Sequence, residues 1–204
     1  MIPALDFSRA PFLAIWETTR ACDLACSHCR ADAVKDRDAG ELSTEEGKRL
    51  LDGVAAMGTP IFIFSGGDPL QRPDLEELVG HAKGRGFRVG AIPVATDKLD
   101  RERMAGLRAA GLDQLALSLD GPDAAGHDSV RGVPGSFVRT LAAAAAARAV
   151  GLPLQINTCL SAGNMGRLDA LIKLVSSLGV VFWEVFFLVP VGRGRDLPGL
   201  APGQ

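Results

Sequence analysis

Six apolar runs of strand length, at residues 12–18, 60–65, 87–96, 114–120, 152–160 and 180–189, alternate with stretches of helical spacing. Near-continuous apolar strands, each followed by a helix, build a parallel sheet with helical cover. Local signals mark the helices. Ser43-Thr44-Glu45-Glu46 is a capping box, and Leu50, Leu51 and Val54 follow it on one face. Pro73 suits the first turn of a second helix carrying Leu75, Leu78 and Val79. Helices expected over 99–110, 136–150 and 165–178 each stop at a glycine, namely Gly111, Gly151 and Gly179.

Strand parity narrows the choice further. In 114–120, Leu115, Leu117 and Leu119 share one face, and Ala116, Ser118 and Asp120 share the other. In 152–160, Gln155, Asn157 and Cys159 oppose Leu154, Ile156 and Leu160. A flat sheet between two helical layers wants both faces apolar; a curved sheet around a ligand-filled lumen wants this split. The expectation is an α/β fold, an open partial (β/α)6 barrel of parallel strands with helices outside. A doubly wound sheet is the runner-up. The run 180–189 leaves no stretch for a sixth helix and no C-terminal extension, only a Gly/Pro-rich tail over 192–204.

A length of 204 residues suits a single domain over 1–204, and 47% apolar with 23% charged residues is a globular composition. A net charge of −2 gives no general attraction to nucleic acid or anionic membrane. The start lacks a basic segment followed by an apolar run, and the longest apolar stretch contains Glu184 and Pro190. Four cysteines, three of them within eight residues, do not make a disulfide scaffold. A cytoplasmic protein with neither membrane nor nucleic-acid partner is expected.

Cys22-x-x-x-Cys26-x-x-Cys29 lies in a loop, 19–32, directly after the first strand, at the end where barrel enzymes keep reactive groups. Thiolates select zinc or iron–sulfur clusters. A structural zinc needs a fourth ligand in a closed tetrahedron, whereas three thiolates on a cubane leave one iron open. Ser65-Gly66-Gly67-Asp68-Pro69 ends the second strand; it reads as a turn, or as bare backbone that a ligand amine can approach with Asp68 as acceptor. Ser118 and Asp120 end the fourth strand, where they suit ribose hydroxyls or an Asx-type turn. Arg131 follows on the same loop, a match for a ligand carboxylate or a solvated surface arginine. Asn157 faces the lumen. Taken together, the functional alternatives describe an amino acid joined to a nucleoside, S-adenosylmethionine. Glu17 and Glu184 sit in apolar strands and call for pairing or a substrate contact. Cys159 reads as a small core residue, and His81 and His127 as surface histidines.

The Cys22/Cys26/Cys29 spacing, the Gly66-Gly67-Asp68-Pro69 turn, the Ser118-Leu119-Asp120 strand end and Arg131 occur here in the order found in the radical S-adenosylmethionine superfamily, which the chain resembles from Phe12 to Gly194. Trp16-Glu17-Thr18-Thr19-Arg20-Ala21-Cys22 and Leu188-Val189-Pro190-Val191-Gly192-Arg193-Gly194 resemble the branch that matures modified haems and ribosomal peptides. That resemblance implies an enzyme with a [4Fe-4S] cluster on Cys22, Cys26 and Cys29. It implies S-adenosyl-L-methionine on Gly66, Gly67, Asp68, Ser118, Asp120 and Arg131; Asn157, on the lumen face, is expected to touch the nucleoside or the substrate, or else to be a structural amide. Reductive cleavage would give a 5′-deoxyadenosyl radical that takes hydrogen from a peptide or tetrapyrrole, with electrons from a reductant such as ferredoxin or flavodoxin. The cofactors carry such chemistry, so no side chain is assigned a catalytic role. Asp68 stands where the family usually has glutamate. Members of this branch usually extend further at the C-terminus, so the alternative is a cluster- and cofactor-binding module without turnover.

Overall fold

The computed structural model describes residues 7–201 and 203. Its six strands are β1 (Leu13–Glu17), β2 (Ile61–Ser65), β3 (Arg88–Ala91), β4 (Gln114–Ser118), β5 (Leu154–Leu160) and β6 (Phe182–Phe187). All neighbouring pairs are parallel, and the spatial order is the sequence order, β1 through β6. A doubly wound sheet reverses its strand order at a switch point. This sheet never does, so it curls one way into an open half-barrel.

The helices are α1 (Thr44–Ala56), α2 (Leu75–Gly84), α3 (Arg101–Ala110), α4 (Ala124–Arg131), α5 (Ser136–Ala149) and α6 (Leu168–Ser177). The capping box of α1 is formed: Glu46 N–H donates to Ser43 Oγ, and Ser43 N–H donates to Glu46 Oε2 at 2.9 Å. Behind the sheet, Phe62, Phe64, Val89, Leu115, Leu117 and Ile156 pack against Leu51, Leu78, Leu107, Ala144 and Leu171 of the helices. Each such leucine or phenylalanine contributes about 1.5–3 kcal/mol through burial. The alanine-rich stretch of α5 serves close approach, with Ala143, Ala144 and Ala147 all buried.

The opposite face lines the lumen. Strand register places Ser118, Asn157 and Glu184 in one row across β4, β5 and β6. The polar parity read in β4 and β5 is therefore the inner face of the barrel. No α-helix follows β6 among the described residues; a 3-10 turn at Gly192–Asp196 does. No helix there is long and apolar enough to cross a membrane.

Two expectations are corrected. The third strand stops at Ala91, and the rest of its apolar run, 92–96, is irregular chain leading toward the mouth of the barrel. Arg131 is not on a loop: it is the last residue of α4. Asp123 caps that helix by accepting from Gly126 N–H at 2.9 Å, and Gly132 ends it in the left-handed conformation.

Candidate functional site: a thiol loop gripped from three sides

Segment 19–32 leaves the C-terminal end of β1 and is held from three sides. Thr18 N–H first prolongs the sheet by donating to Ser65 O at 2.9 Å. Gly67 N–H then donates to Thr19 O at 2.7 Å, and Asp68 N–H to Ala21 O at 2.8 Å. A methyl group on Gly66 would collide with Thr19 O, and one on Gly67 with the carbonyls of Arg20 and Ala21. These glycines are thus required by the loop they support. On the second side, Ala25 and Ser27 donate to Arg131 O and Val130 O at the end of α4, at 3.1 and 2.8 Å.

The third grip comes from the tail after β6. Arg193 N–H donates to Cys29 O at 3.0 Å, and the guanidinium Nε donates to Cys26 O at 2.9 Å. Gly192, with φ of 56°, leaves no room for a side chain against Cys29 O. Nothing in the local sequence of Arg193 signals this contact, which joins residues 167 apart.

The sulfurs on this loop share one feature. Cys22 Sγ accepts from Leu24 N–H at 3.4 Å, Cys29 Sγ from Ala33 N–H at 3.4 Å, and Cys26 Sγ from Arg131 Nη1 at 3.6 Å. Three thiols with three aimed donors form an arrangement suited to anionic sulfur. In the chain alone, burial pushes the Cys22 thiol up to about 11. A bound cation inverts that preference, since a coordinating thiol is deprotonated outright. Cys159 differs: it is raised to about 11 by burial, and its backbone N–H, not its sulfur, is the group engaged, donating to Asp120 Oδ1 at 2.8 Å.

A cavity of about 300 Å³ opens beside the loop. Ser118, Asp120, Arg131 and Asn157 line it together, with His28, Arg30, Cys159 and the end of β6. Gly66, Gly67 and Asp68 are not among its lining residues; they pack on the backbone of 19–21. Asp68 is fully buried, with Oδ1 accepting from Leu70 N–H at 3.1 Å and Oδ2 unpartnered. Burial lifts its carboxyl to about 6.

Asp120 and Arg131 form the buried ion pair of the site, with Nη2 2.5 Å from Oδ2. Burial works against the charge on Arg131, but Asp120 and Cys26 outweigh it and hold the pKa above its usual value. Arg131 Nε has no partner. His127, expected at the surface, is fully buried instead. Its Nδ1 accepts from Asp120 N–H at 3.2 Å, which requires an unprotonated Nδ1 and leaves Nε2 facing the hydroxyls of Ser136 and Thr140. Burial pushes this imidazole down to about 4, in keeping with the neutral form. His127 and Arg131 are one helical turn apart and form the buried face of α4. Cys159, read as a core residue, is only half-buried and faces the cavity.

Glu17 pairs with Arg30 at the mouth, and Glu184 accepts from Gln155 Nε2 at 2.9 Å, so both strand carboxylates are partnered.

Fold and site together define a parallel half-barrel with a three-cysteine loop at its C-terminal mouth. The family model described as Radical SAM superfamily matches residues 16–175, and the chain belongs to that superfamily. It is 43% identical over 200 residues to the AdoMet-dependent heme synthase of Methanosarcina barkeri, covering 98% of this chain and 57% of that protein. It is 37% identical over 175 residues to the PqqA peptide cyclase of Rhodopseudomonas palustris, covering 86% of this chain and 46% of the relative. The chain thus spans about half the length of the curated relatives it matches. Among solved structures, methylornithine synthase (PylB) superposes with a TM-score of 0.76 at 20% identity, covering 97% of this chain and 60% of that one. Streptococcus suis SuiB bound to S-adenosylmethionine gives 0.75 at 18% identity, covering 87% and 40%. At such identities the likeness is one of fold.

Proposed function

We propose that residues 1–204 form one radical S-adenosylmethionine core domain, with Cys22, Cys26 and Cys29 as the ligands of a [4Fe-4S] cluster. The observation that carries this reading is the set of donors aimed at those three sulfurs and withheld from Cys159. Three thiols with no fourth ligand suit a cubane better than a closed zinc site.

The polar groups around the loop fit S-adenosylmethionine. Arg131 reaches from Cys26 to Asp120 and keeps Nε free for an acceptor such as a carboxylate. Asp120 and Ser118 offer acceptors at a cavity of nucleoside size, and Asn157 closes its inner edge. Gly66, Gly67 and Asp68, proposed for the ammonium group, lie outside this cavity in the chain alone, with Asp68 Oδ2 buried and unpartnered. When bound, the cluster and S-adenosylmethionine supply reductive sulfonium cleavage and a radical that abstracts hydrogen from a peptide or tetrapyrrole. The chain's own residues bind, orient and shield. His127 fixes the Asp120 backbone, Arg193 fixes the cysteine loop, and a reductant such as ferredoxin or flavodoxin delivers electrons in the cytoplasm.

The open lumen side of β6, where Phe182 is 53% exposed, favours a second reading in which the core binds its cofactors without turning over substrate. One set of assays separates these. Anaerobic reconstitution followed by calorimetric titration should show Asp120→Ala and Arg131→Ala weakening S-adenosylmethionine by about one to two decades while iron is retained. Deoxyadenosine formed under dithionite without modified product supports the second reading. Unchanged affinity in both variants contradicts the cofactor assignment.

A further inference from the structure

Below the cofactor cavity, a hydrogen-bonded strip crosses the lumen. Arg88 Nη2 donates to Gln114 Oε1 at 2.8 Å, and Gln114 Nε2 donates to Gln155 Oε1. Gln155 Nε2 in turn donates to Asn157 Oδ1 at 2.6 Å and to Glu184 Oε2 at 2.9 Å. A guanidinium can only donate and a carboxylate can only accept, so the ends of this chain fix the orientation of both glutamine amides. They also fix Asn157: its oxygen is taken, which turns its NH2 toward the cavity that it lines. The strip therefore ends in a set donor, Asn157 Nδ2, and a set acceptor, the second oxygen of Glu184. Asn157 has two N–H groups, enough to face the cofactor with one and the lumen with the other.

Apolar surface flanks the strip on both sides. On β1, Leu13 and Ile15 are 37% and 56% exposed to the lumen; on β6, Phe182 and Phe186 are 53% and 45% exposed. The charges facing this space balance: Arg30 is paired with Glu17, and Arg88 stands opposite the carboxylate at the other end of the strip. A tetrapyrrole bearing several carboxylates would meet one guanidinium without an acidic partner, Arg88 on the neutral Gln114 amide, and Glu184 would repel it. A secondary amide matches the strip, with its C=O on Asn157 and its N–H on Glu184, while apolar side chains on either side meet the two walls.

We infer that Asn157 and Glu184 form a substrate subsite that reads the peptide group of an extended polypeptide. This rests on the half-barrel being a substrate-processing core, but not on the cofactors being bound. The probe is N-acetyl-leucine N′-methylamide, titrated into the 15N-labelled full chain with the side-chain carboxamide resonances of Gln155 and Asn157 as readout. Coproporphyrin III is titrated in parallel. The amide should move those resonances saturably, and coproporphyrin should leave them in place. Glu184→Gln keeps the size of the side chain but, with its oxygen held by Gln155, presents a donor where the acceptor was. It should weaken the amide about ten-fold or more, since a hydrogen bond to a charged group is at stake. Gln155→Leu, which frees the orientation of Asn157, should weaken it as well. Strip resonances that answer to coproporphyrin and not to the amide, or to neither, overturn the inference. So does an amide affinity that Glu184→Gln leaves unaltered. Iron uptake measured on the same preparation keeps the cluster assignment a separate question.

Discussion

β4 and β6 both flank β5, and both are strongly apolar in sequence, yet they live in different surroundings. Leu115, Leu117 and Leu119 are fully buried behind the sheet under the helices. Phe187 is 66% exposed and Val185 38%. Only Trp183 of the outer β6 row is partly packed, with its indole N–H on Thr158 Oγ1 at 3.0 Å. Apolar content predicts that a segment is a strand; what lies behind the strand decides whether its side chains stabilise anything. The same contrast holds at the mouth. The β4 side supplies a buried ion pair and a buried histidine, whereas the β6 side supplies backbone clamps and exposed phenylalanines.

Substitutions should separate the two sides by size of effect. Arg131→Met leaves the Asp120 carboxylate buried without its partner and should cost about 3–5 kcal/mol in denaturant unfolding. A loss below about 1 kcal/mol would show that Asp120 is relieved by solvent. Leu117→Ala should cost about 2–5 kcal/mol, as a fully buried leucine of the core. On the β6 side, by contrast, Phe187→Ser should stay within about 0.5 kcal/mol, as an exposed residue without a special contact. Equal losses at positions 117 and 187 would break the comparison.

Between these lies an acid effect on the β4 side. Burial pushes His127 down from 6.5 to about 4, so the neutral form is the one the fold prefers. A base depressed in the folded state contributes stability that is present above its unfolded pKa and lost as pH falls toward the folded value. Between pH 6.5 and about 4, stability should fall by up to about 3 kcal/mol, at roughly 1.4 kcal/mol per pH unit. Because His127 Nδ1 holds Asp120 N–H, His127→Gln should flatten that part of the pH profile relative to the parent. An unchanged profile would place the acid sensitivity elsewhere.

Much of this was legible in the chain because it rests on period-two patterning. The alternation of leucine with Ser118 and Asp120, and of Gln155 and Asn157 with Leu154 and Ile156, announces an inner and an outer face. The helix α4 was illegible for the opposite reason. Its buried face is His127 and Arg131, so apolar spacing offers no trace, although Asp123 and Gly132 stand at its ends as caps. Gly66 and Gly67 were legible as a place of close approach, but the approaching group in the chain itself is the backbone of 19–21. Arg193 could not be found by local reading, since its contacts are with carbonyls far away in sequence.

The central claim is that three donor-supported sulfurs, and not Cys159, hold the cluster. Iron and sulfide are measured after anaerobic reconstitution of the parent and of Cys22→Ala, Cys26→Ala, Cys29→Ala and Cys159→Ala, each checked for folding by circular dichroism. The account predicts that each of the first three variants loses its iron, because a cubane held by two thiolates is labile, while Cys159→Ala keeps the parent value. A folded Cys22→Ala protein with its full complement of iron, or a Cys159→Ala protein without iron, would contradict it.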